Sequence, residues 1–159
     1  MAAIHYHIGD ATVPIGDGNK LIIHICNDIG RWGKGFVIAL SRRWLQPEKE
    51  FKTWHAQRDQ NDFALGAVQY VQVRPDLWVA NMIGQHLIWD TEEGPPIRYE
   101  AVEKCLQNVA AKARELNATL HMPRIGCGLA GGSWDRIEPL IQRALIDAGL
   151  DAHVYDLPS

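Results

Sequence analysis

The sequence predicts one layered α/β domain, and three observations carry that prediction. The 159 residues are the size of one ordinary domain and suffice to bury one substantial core. Apolar residues make up 47% and charged residues 22% of the chain, which is typical of folded globular proteins. Short apolar runs alternate with amphipathic helical patterns along the whole length. We therefore expect residues 1–159 to form a single domain without repeats or linkers.

Strands are predicted by short runs rich in apolar and β-branched residues, each bounded by Gly, Pro, Asp or Asn. These runs cover residues 4–8, 21–25, 67–73, 77–82, 119–122 and 153–155. The run 21–25 is apolar at nearly every position, which indicates a central strand covered on both faces of the sheet. The predicted sheet therefore has about six strands.

Helical patterns lie between these strands. The clearest covers residues 97–116, where apolar residues recur at helical spacing and predict one buried stripe. Weaker patterns cover residues 36–45, 48–58 and 134–148. Pro139 lies within the last pattern, where a proline should cost one backbone hydrogen bond or split off a short first turn.

Charge and cysteine content exclude several classes of function. The formal net charge is −3 and no Lys/Arg run exceeds the pair Arg42-Arg43, so the basic surface of a general nucleic-acid binder is missing. The three cysteines are widely spaced, and the opening MAAIHYHIGD lacks the pattern of a secretion signal. No apolar stretch approaches the roughly 20 residues that span a bilayer. We expect a reduced, cytoplasmic protein with no membrane partner.

Two glycine-rich segments follow predicted strands and precede predicted helices. The first covers residues 26–35, CNDIGRWGKG, and the second covers residues 123–133, PRIGCGLAGGS. In an α/β sheet, loops at the carboxyl ends of strands form the ligand crevice, and glycines there let backbone N–H groups approach phosphate oxygens. Two such loops favour a ligand that carries a diphosphate.

The second segment contains GCGLAG, which matches the G-x-G-x-x-G pattern of dinucleotide-binding folds. That fingerprint normally opens a long βαβαβ half, and too little chain follows Gly131 to build one, which argues against a nicotinamide dehydrogenase. A tight turn without a ligand is the simpler alternative for an isolated motif. The first glycine-rich segment beside it favours phosphate binding.

At these segments the chain resembles the macrodomain family, and more narrowly its branch with the terminal ADP-ribose protein glycohydrolase and the yeast ADP-ribose 1″-phosphate phosphatase. The matching segments are Gly9-Asp10, HICN at 24–27 with the following GRWGKG, MPRIGCGL at 122–129 and VYDL at 154–157. The resemblance implies a three-layer α/β/α fold with a mixed sheet and a deep cleft for ADP-ribose or an ADP-ribosylated substrate. No metal ion and no cofactor are predicted.

The resemblance also implies roles within this cleft. The Asp10 carboxylate would accept from the adenine amino group, the amides of residues 125–131 would hold the diphosphate, and Asn27 with residues 30–35 would surround the distal ribose. The implied binding residues are Asp10, Ala11, Asn27, Arg31, Trp32, Gly33, Lys34, Gly35, Phe36, Arg124, Ile125, Gly126, Cys127, Gly128, Leu129, Ala130, Gly131, Tyr155 and Leu157.

Several of these residues have a structural alternative. Asp10 is equally suited to a turn or a helix cap. His24, in an apolar strand, is more often a hydrogen-bonded core residue than a catalyst. Trp32 is either a lid over the ligand or an anchor of its loop in the core. Cys127 lies beside a helix start, which is a setting for a lowered thiol pKa, although its small size is the simpler reason for its presence.

Two positions depart from the glycohydrolase of this branch, in which a lysine attacks the substrate and an aspartate closes the IGCGL loop. The corresponding residues are Gln85 and Ala130, and neither can act as that nucleophile or that acid. We therefore expect no lysyl intermediate. The remaining catalytic candidates, acting through a water at the distal ribose, are Asn27, Asp28, Gln85 and His86, with Asp90 nearby.

Three functions stay open on the sequence. The leading prediction is hydrolysis of an ADP-ribose derivative at the distal ribose, such as an ester-linked ADP-ribosyl group, O-acetyl-ADP-ribose (a deacetylase activity) or ADP-ribose 1″-phosphate. The rival is a reader that binds ADP-ribose without turnover, which the missing lysine and aspartate favour. A binder of RNA or poly-ADP-ribose is the third, and the acidic balance of the chain counts against it.

Overall fold

The computed structural model describes residues 1–159 and contains a six-stranded mixed sheet between two layers of helices. The strands are β1 (Ile4–Ile8), β2 (Asn19–Asn27), β3 (Val68–Arg74), β4 (Leu77–Gln85), β5 (Ala118–Met122) and β6 (Ala152–Asp156). The helices are α1 (Phe36–Arg43), α2 (Gln46–Ala56), α3 (Tyr99–Leu116) and α4 (Trp134–Ile141). A 3₁₀ turn, Arg58–Gln60, follows α2, and a π-helical turn, Gln142–Ile146, follows α4. The predicted α/β/α class is confirmed.

The strand order is β1-β6-β5-β2-β4-β3. Neighbouring strands are parallel except β3 and β4, whose antiparallel pairing makes the sheet mixed. The carboxyl ends of the parallel strands therefore lie at one edge of the sheet, and the loops after β1, β2, β4 and β5 meet there. That edge is where an open α/β sheet places its ligand.

The predicted strands all form, and the two that carry the first glycine-rich segment and Gln85 are longer than predicted. β2 reaches Asn27 and β4 reaches Gln85, because their pairing continues through a register shift after Cys26. The central position predicted for residues 21–25 is confirmed, since β2 lies between β5 and β4 and residues 21–23 are completely buried.

The predicted helices also form, with adjusted ends. α3 begins at Tyr99 rather than at residue 97, because Ile97 pairs with Gln85 in an isolated bridge. α4 runs without a break through Pro139, so of the two alternatives for this proline the split of the first turn does not occur. After Ile141 the chain widens into the π-helical turn. No helix has both the length and the apolar composition to cross a bilayer.

Each face of the sheet has its own core. On one face α3 and α4 pack against the sheet around Leu106, Leu120 and Ile137, and the stripe predicted on α3 is buried there. On the other face α1 and α2 cover β2 and β4 around Ile22 and Phe51. The chain therefore passes directly from the end of β2, through the first glycine-rich segment, into α1 of this second helical layer.

His24 is a polar residue inside this second core. Its Nε2 donates to Oδ1 of Asn81 on the neighbouring strand at 2.6 Å, and both side chains are buried. Burial lowers the pKa of His24 to about 4, partly offset by the hydrogen bond with Asn81, so the ring is neutral at pH 7. The hydrogen-bonded core role expected for His24 is therefore confirmed.

Candidate functional site

A cavity of about 570 Å³ opens at the carboxyl edge of the sheet, a size that suits a small-molecule ligand. It lies between residues 26–35, the first glycine loop, and residues 123–133, the second glycine loop. A depression of about 420 Å³ between α3 and α4 is lined by helical side chains and lies away from these loops. The residues that line the cavity are His24, Ile25, Cys26, Asn27, Arg31, Gly33, Lys34, Gly35, Phe36, Val37, Gln85, Ile88, Pro123, Arg124, Ile125, Gly126, Gly128, Leu129 and Ala130.

The second glycine loop is a tight turn that leaves backbone amides free. Gly126 and Gly131 have φ of 75° and 77°, values that favour glycine. The N–H of Gly132 donates to the carbonyl of Gly126 at 2.7 Å, and a Cβ on Gly132 would lie 2.4 Å from that oxygen. The N–H groups of Gly126 and of residues 128–130 line the cavity and have no acceptor within the protein. Amides of this kind bind phosphate oxygens.

The first glycine loop takes its shape from Asn27. The side-chain Oδ1 of Asn27 accepts from the N–H of Ile29 at 3.1 Å and from that of Arg31 at 3.0 Å, and its Nδ2 donates to the carbonyl of Arg31 at 2.8 Å. Gly30 has φ of 72°, and a Cβ there would lie 2.4 Å from the ring of His55. The Asn27 hydrogen bonds and the positive φ of Gly30 therefore fix the backbone conformation of this loop.

The first glycine loop also presents free amides, at the N-terminus of α1. The helix has no side-chain cap, and its capping residue Gly35 has φ of 81°. The N–H groups of residues 33–37 line the cavity and have no acceptor within the protein. The helix dipole adds partial positive charge at this end. Both walls of the cavity therefore carry unbonded backbone donors.

The cavity is cationic although the chain is acidic overall. Arg31, Lys34 and Arg124 line it, and no Asp or Glu does. Arg124 is fixed by two hydrogen bonds to the Asp156 carboxylate, at 2.8 and 3.1 Å, and its guanidinium packs over the Trp134 ring. Arg31 and Lys34 are exposed on the first glycine loop. This arrangement of charge and amides suits an anionic ligand with several acceptor oxygens.

Comparison with known proteins decides the family. No family model matches the chain. A macrodomain protein from Streptomyces coelicolor is 55% identical, with a TM-score of 0.87, over 97% of this chain and 99% of that one. The chain belongs to the macrodomain family.

The other similar proteins support the fold of this macrodomain and do not indicate its function. A protein of unknown function from Bacteroides thetaiotaomicron is 54% identical over 98% of this chain and 99% of that one, with a TM-score of 0.94. The chromodomain-helicase-DNA-binding protein 1-like of Mus musculus is 31% identical over 98% of this chain, which spans only 18% of that protein's length. DarTG of Thermosipho africanus in complex with ADP-ribose is 16% identical, with a TM-score of 0.68, over 88% of this chain and 38% of that one, and shares the fold.

The predicted binding residues of this macrodomain divide into two groups. Those that line the cavity are Asn27, Arg31, Gly33, Lys34, Gly35, Phe36, Arg124, Ile125, Gly126, Gly128, Leu129 and Ala130. Those that lie outside its wall are Asp10, Ala11, Trp32, Cys127, Gly131, Tyr155 and Leu157. Four of the second group follow or belong to β1 and β6, at the end of the sheet beyond the cavity.

Asp10 holds a turn directly after β1. Its Oδ1 accepts from the N–H of Thr12 at 2.8 Å and from the Thr12 hydroxyl at 2.7 Å, and its Oδ2 lies 3.5 Å from Arg43. Burial opposes ionisation, but the Thr12 hydrogen bonds and the Arg43 charge outweigh it and lower the pKa of Asp10. Asp10 therefore stabilises this turn, and its ionised carboxylate can still accept a hydrogen bond from a ligand.

Trp32 is a buried anchor of the first glycine loop. Its Nε1 donates to the Ser41 hydroxyl at 2.8 Å, and its ring lies 5.3 Å from that of Phe51, centroid to centroid. Because the side chain is buried in the second core, it cannot close over the cavity as a lid. The anchoring alternative for Trp32 is the correct one.

Ala11, Cys127 and Tyr155 lie close to the two loops in the chain but outside the cavity wall. Ala11 and Tyr155 are buried, and the Tyr155 hydroxyl accepts from the N–H of Ile15 at 3.0 Å. Burial raises the pKa of the Cys127 thiol, so the lowered pKa considered for it is wrong. Tyr155 thus holds the segment after β1 through Ile15, and the predicted ligand contacts of all three residues stay predictions.

The catalytic candidates divide into two pairs. Asn27 and Gln85 line the cavity, at paired positions of β2 and β4. Asp28 and His86 lie outside the wall, where Nδ1 of His86 donates to Oδ2 of Asp28 at 2.6 Å and the N–H of Leu87 donates to Oδ1 at 2.8 Å. The second pair therefore ties the segment after β4 to the first glycine loop.

Acid–base groups are scarce in the wall itself. Gln85 and Ala130 both line the cavity, and neither side chain is an acid or a base. The one histidine of the wall is His24, whose pKa is about 4. Burial raises the pKa of the Cys26 thiol, which is therefore neutral at pH 7. No side chain of the wall is a general base near neutral pH.

Sequence reasoning missed Ile88, which lines the cavity although it lies in an irregular segment after β4. The available signal was the pair Ile88-Trp89, two large apolar residues followed by acidic residues where a loop was expected. Ile25, Cys26, Val37 and Pro123 were also missed as binding residues. Each lies within two residues of a predicted binding residue, so the prediction placed the wall correctly but made it too short.

Proposed function

We propose that this macrodomain binds ADP-ribose between its glycine loops and hydrolyses an ADP-ribose derivative at the distal ribose. The observation that carries the proposal is the two facing rows of unbonded amides in a wall with cationic side chains and no carboxylate. A diphosphate supplies the acceptor oxygens and the negative charge that such a wall lacks. Membership of the macrodomain family and the ADP-ribose complex of a DarTG protein support this nucleotide.

The proposed orientation follows from the order of the strands. With the diphosphate between the loops after β2 and β5, one end of the nucleotide points toward β6 and β1, where Asp10 would accept from the adenine amino group. The other end points toward β4, where Asn27 and Gln85 would face the distal ribose. This orientation uses both the residues in the wall and the Asp10 carboxylate beyond it.

Turnover would rely on positioning rather than on strong acid–base groups. The Oδ1 of Asn27 already accepts two backbone N–H groups, so the Gln85 Oε1 and the second N–H of Asn27 Nδ2 are the amide groups that can hold a water against the distal ribose. Hydrolysis adds the elements of that water across the bond to the attached group. The free backbone amides would stabilise negative charge that develops on the nucleotide or the leaving group. Without a general base in the wall, we expect slow turnover.

A reader without turnover is the second candidate function. The lack of a general base in the wall favours it, since His24 is neutral and bonded to Asn81. Three finer points stay predictions. They are the place of the chain in the branch with the glycohydrolase and the phosphatase, the identity of the leaving group, and a cytoplasmic location.

The deciding experiment incubates the protein with ester-linked ADP-ribosyl peptide, O-acetyl-ADP-ribose and ADP-ribose 1″-phosphate, and resolves the products by chromatography. Release of ADP-ribose from any of them supports the hydrolase. ADP-ribose binding by calorimetry with no product from any substrate supports the reader, and no binding at all contradicts both. Intact-mass spectra during turnover should show no covalent ADP-ribosyl protein, because Gln85 cannot act as a nucleophile.

A further inference from the structure

Three large apolar side chains stay exposed at the end of the cavity where the distal ribose would lie. Ile88 and Leu129 line the cavity from opposite sides, with 44% and 66% of their surfaces exposed, and Trp89 beside Ile88 is 54% exposed. We call these three residues the apolar lip. Exposed apolar residues grouped at the mouth of a binding cleft are typical of a contact surface for a partner.

Three acidic side chains follow Trp89 of the apolar lip along the chain. Asp90, Glu92 and Glu93, here the acidic rim, are all exposed. Glu93 has a cationic neighbour, Arg98, at 4.0 Å, whereas Asp90 and Glu92 form no ion pair. The carboxylates therefore give this mouth a negative charge, in contrast to the cationic cavity behind it.

The segment that carries Ile88, Trp89 and the acidic rim is held in place at its base and at its tip. At the base, Asp28 accepts hydrogen bonds from His86 and from the N–H of Leu87. At the tip, Thr91 and Gly94 exchange two backbone hydrogen bonds of 2.9 Å. A surface ordered before binding loses less entropy when a partner docks.

We propose that the apolar lip and the acidic rim dock the polypeptide that carries the ADP-ribosyl group, and that they select a basic segment beside the modified residue. This inference rests on the proposed binding of ADP-ribose in the cavity. A Lys or Arg next to the modified residue would meet the carboxylates of the rim and the face of Trp89. A nucleic acid carrying the same group would bring its phosphates against the rim, which the charge disfavours.

The test compares binding of free ADP-ribose with binding of two peptides of equal length that carry ADP-ribose through a non-hydrolysable linkage. One peptide has Lys and Arg beside the modified residue, and the other has Glu. The parent should bind the basic peptide about fivefold to tenfold more tightly than free ADP-ribose, and the acidic peptide no more tightly. High salt should shrink the difference, because the carboxylates are exposed.

Two variants and one control distinguish peptide binding at this surface from ADP-ribose binding in the cavity. Trp89→Ala and the double variant Asp90→Asn/Glu92→Gln should each lose most of the preference for the basic peptide while free ADP-ribose binds within about twofold of the parent. The control Glu115→Gln removes an exposed carboxylate at the far end of α3 and should change neither. Thermal melting establishes that each variant is folded.

Equal affinity of the parent for both peptides and for free ADP-ribose would overturn the inference while leaving the proposed function intact. Tighter binding of an ADP-ribosylated oligonucleotide than of the basic peptide would overturn it as well. Failure of the parent protein to bind free ADP-ribose is a different result, because it contradicts the proposed function itself.

Discussion

The carboxylate of Asp28 and the Nδ1 of His86 are 2.6 Å apart, and this contact joins the end of β2 to the segment that follows β4. Asp28 also accepts from the N–H of Leu87, whose φ of 61° is unusual for a residue other than glycine. Gln85 of the cavity wall directly precedes this segment, and the segment itself supplies Ile88 and Trp89 of the apolar lip. We therefore infer that Asp28, one of the catalytic candidates, acts by positioning this segment, and the next prediction tests that role.

We predict that Asp28→Ala lowers turnover by about 100-fold, because His86 and Leu87 lose their hydrogen bonds to the Asp28 carboxylate and the neighbouring Gln85 side chain is held less firmly. The backbone bond from the Asp28 N–H to the Gln85 carbonyl, at 3.0 Å, stays. ADP-ribose affinity should change less, since the free amides of the two loops are untouched. Steady-state kinetics and calorimetry measure the two effects. Asp28→Asn keeps an acceptor for the N–H of Leu87 and should fall between the parent and Asp28→Ala. Parent-like turnover in Asp28→Ala would contradict this role.

We predict that Gly128→Val abolishes ADP-ribose binding without unfolding the protein. A Cβ at Gly128 meets no atom within 4 Å and the residue does not have a positive φ, so the side chain would extend into the cavity at no cost to the fold. Gly131→Val is the contrasting variant, because its Cβ would lie 2.6 Å from Pro95 and its φ is 77°. It should lower the melting temperature. Parent-like binding in Gly128→Val would show that this loop does not hold the diphosphate.

We predict that Asp10→Ala weakens ADP-ribose binding by roughly 1.5–3 kcal/mol, the usual cost of a lost charge-assisted hydrogen bond. Calorimetry measures this change. Thr12→Val is the matched control, since it removes a donor to Asp10 but keeps the carboxylate. An equal loss in both variants would mean that the turn, and not a contact with adenine, explains the effect.

We predict that acid destabilises the fold through buried histidines. Burial, with smaller contributions from the charges of His153, Lys20 and His7, lowers the pKa of His121 to about 3, and burial lowers that of His24 to about 4. Between about pH 6.5 and the native pKa values of about 3 and 4, the unfolded chain therefore binds more protons than the native state, and the free energy of unfolding falls as the pH drops through this range. Urea denaturation between about pH 7 and pH 5 measures this slope. His121→Gln and His24→Gln should each reduce the slope, and an unchanged slope in both would contradict the assignment.

The fold and the outline of the cavity could be predicted from the sequence because they depend on local patterns. The apolar run at 21–25 placed the central strand, and the two glycine-rich segments after strands placed the cavity walls. The burial of Trp32 and the contact of Asp28 with His86 could not be predicted, because each requires the distance between segments that are far apart in the chain. The stacking of His5 and His121 on His153, at 4.8 Å in each case, depends in the same way on the register of β1, β6 and β5.

The most direct test of the central claim is a calorimetric titration of the purified protein with free ADP-ribose at neutral pH. We predict a one-to-one complex with a dissociation constant in the micromolar range or tighter, because both rows of amides and the cationic side chains of the cavity would engage the diphosphate. Absence of binding heat together with no rise in melting temperature at millimolar ADP-ribose would contradict the claim.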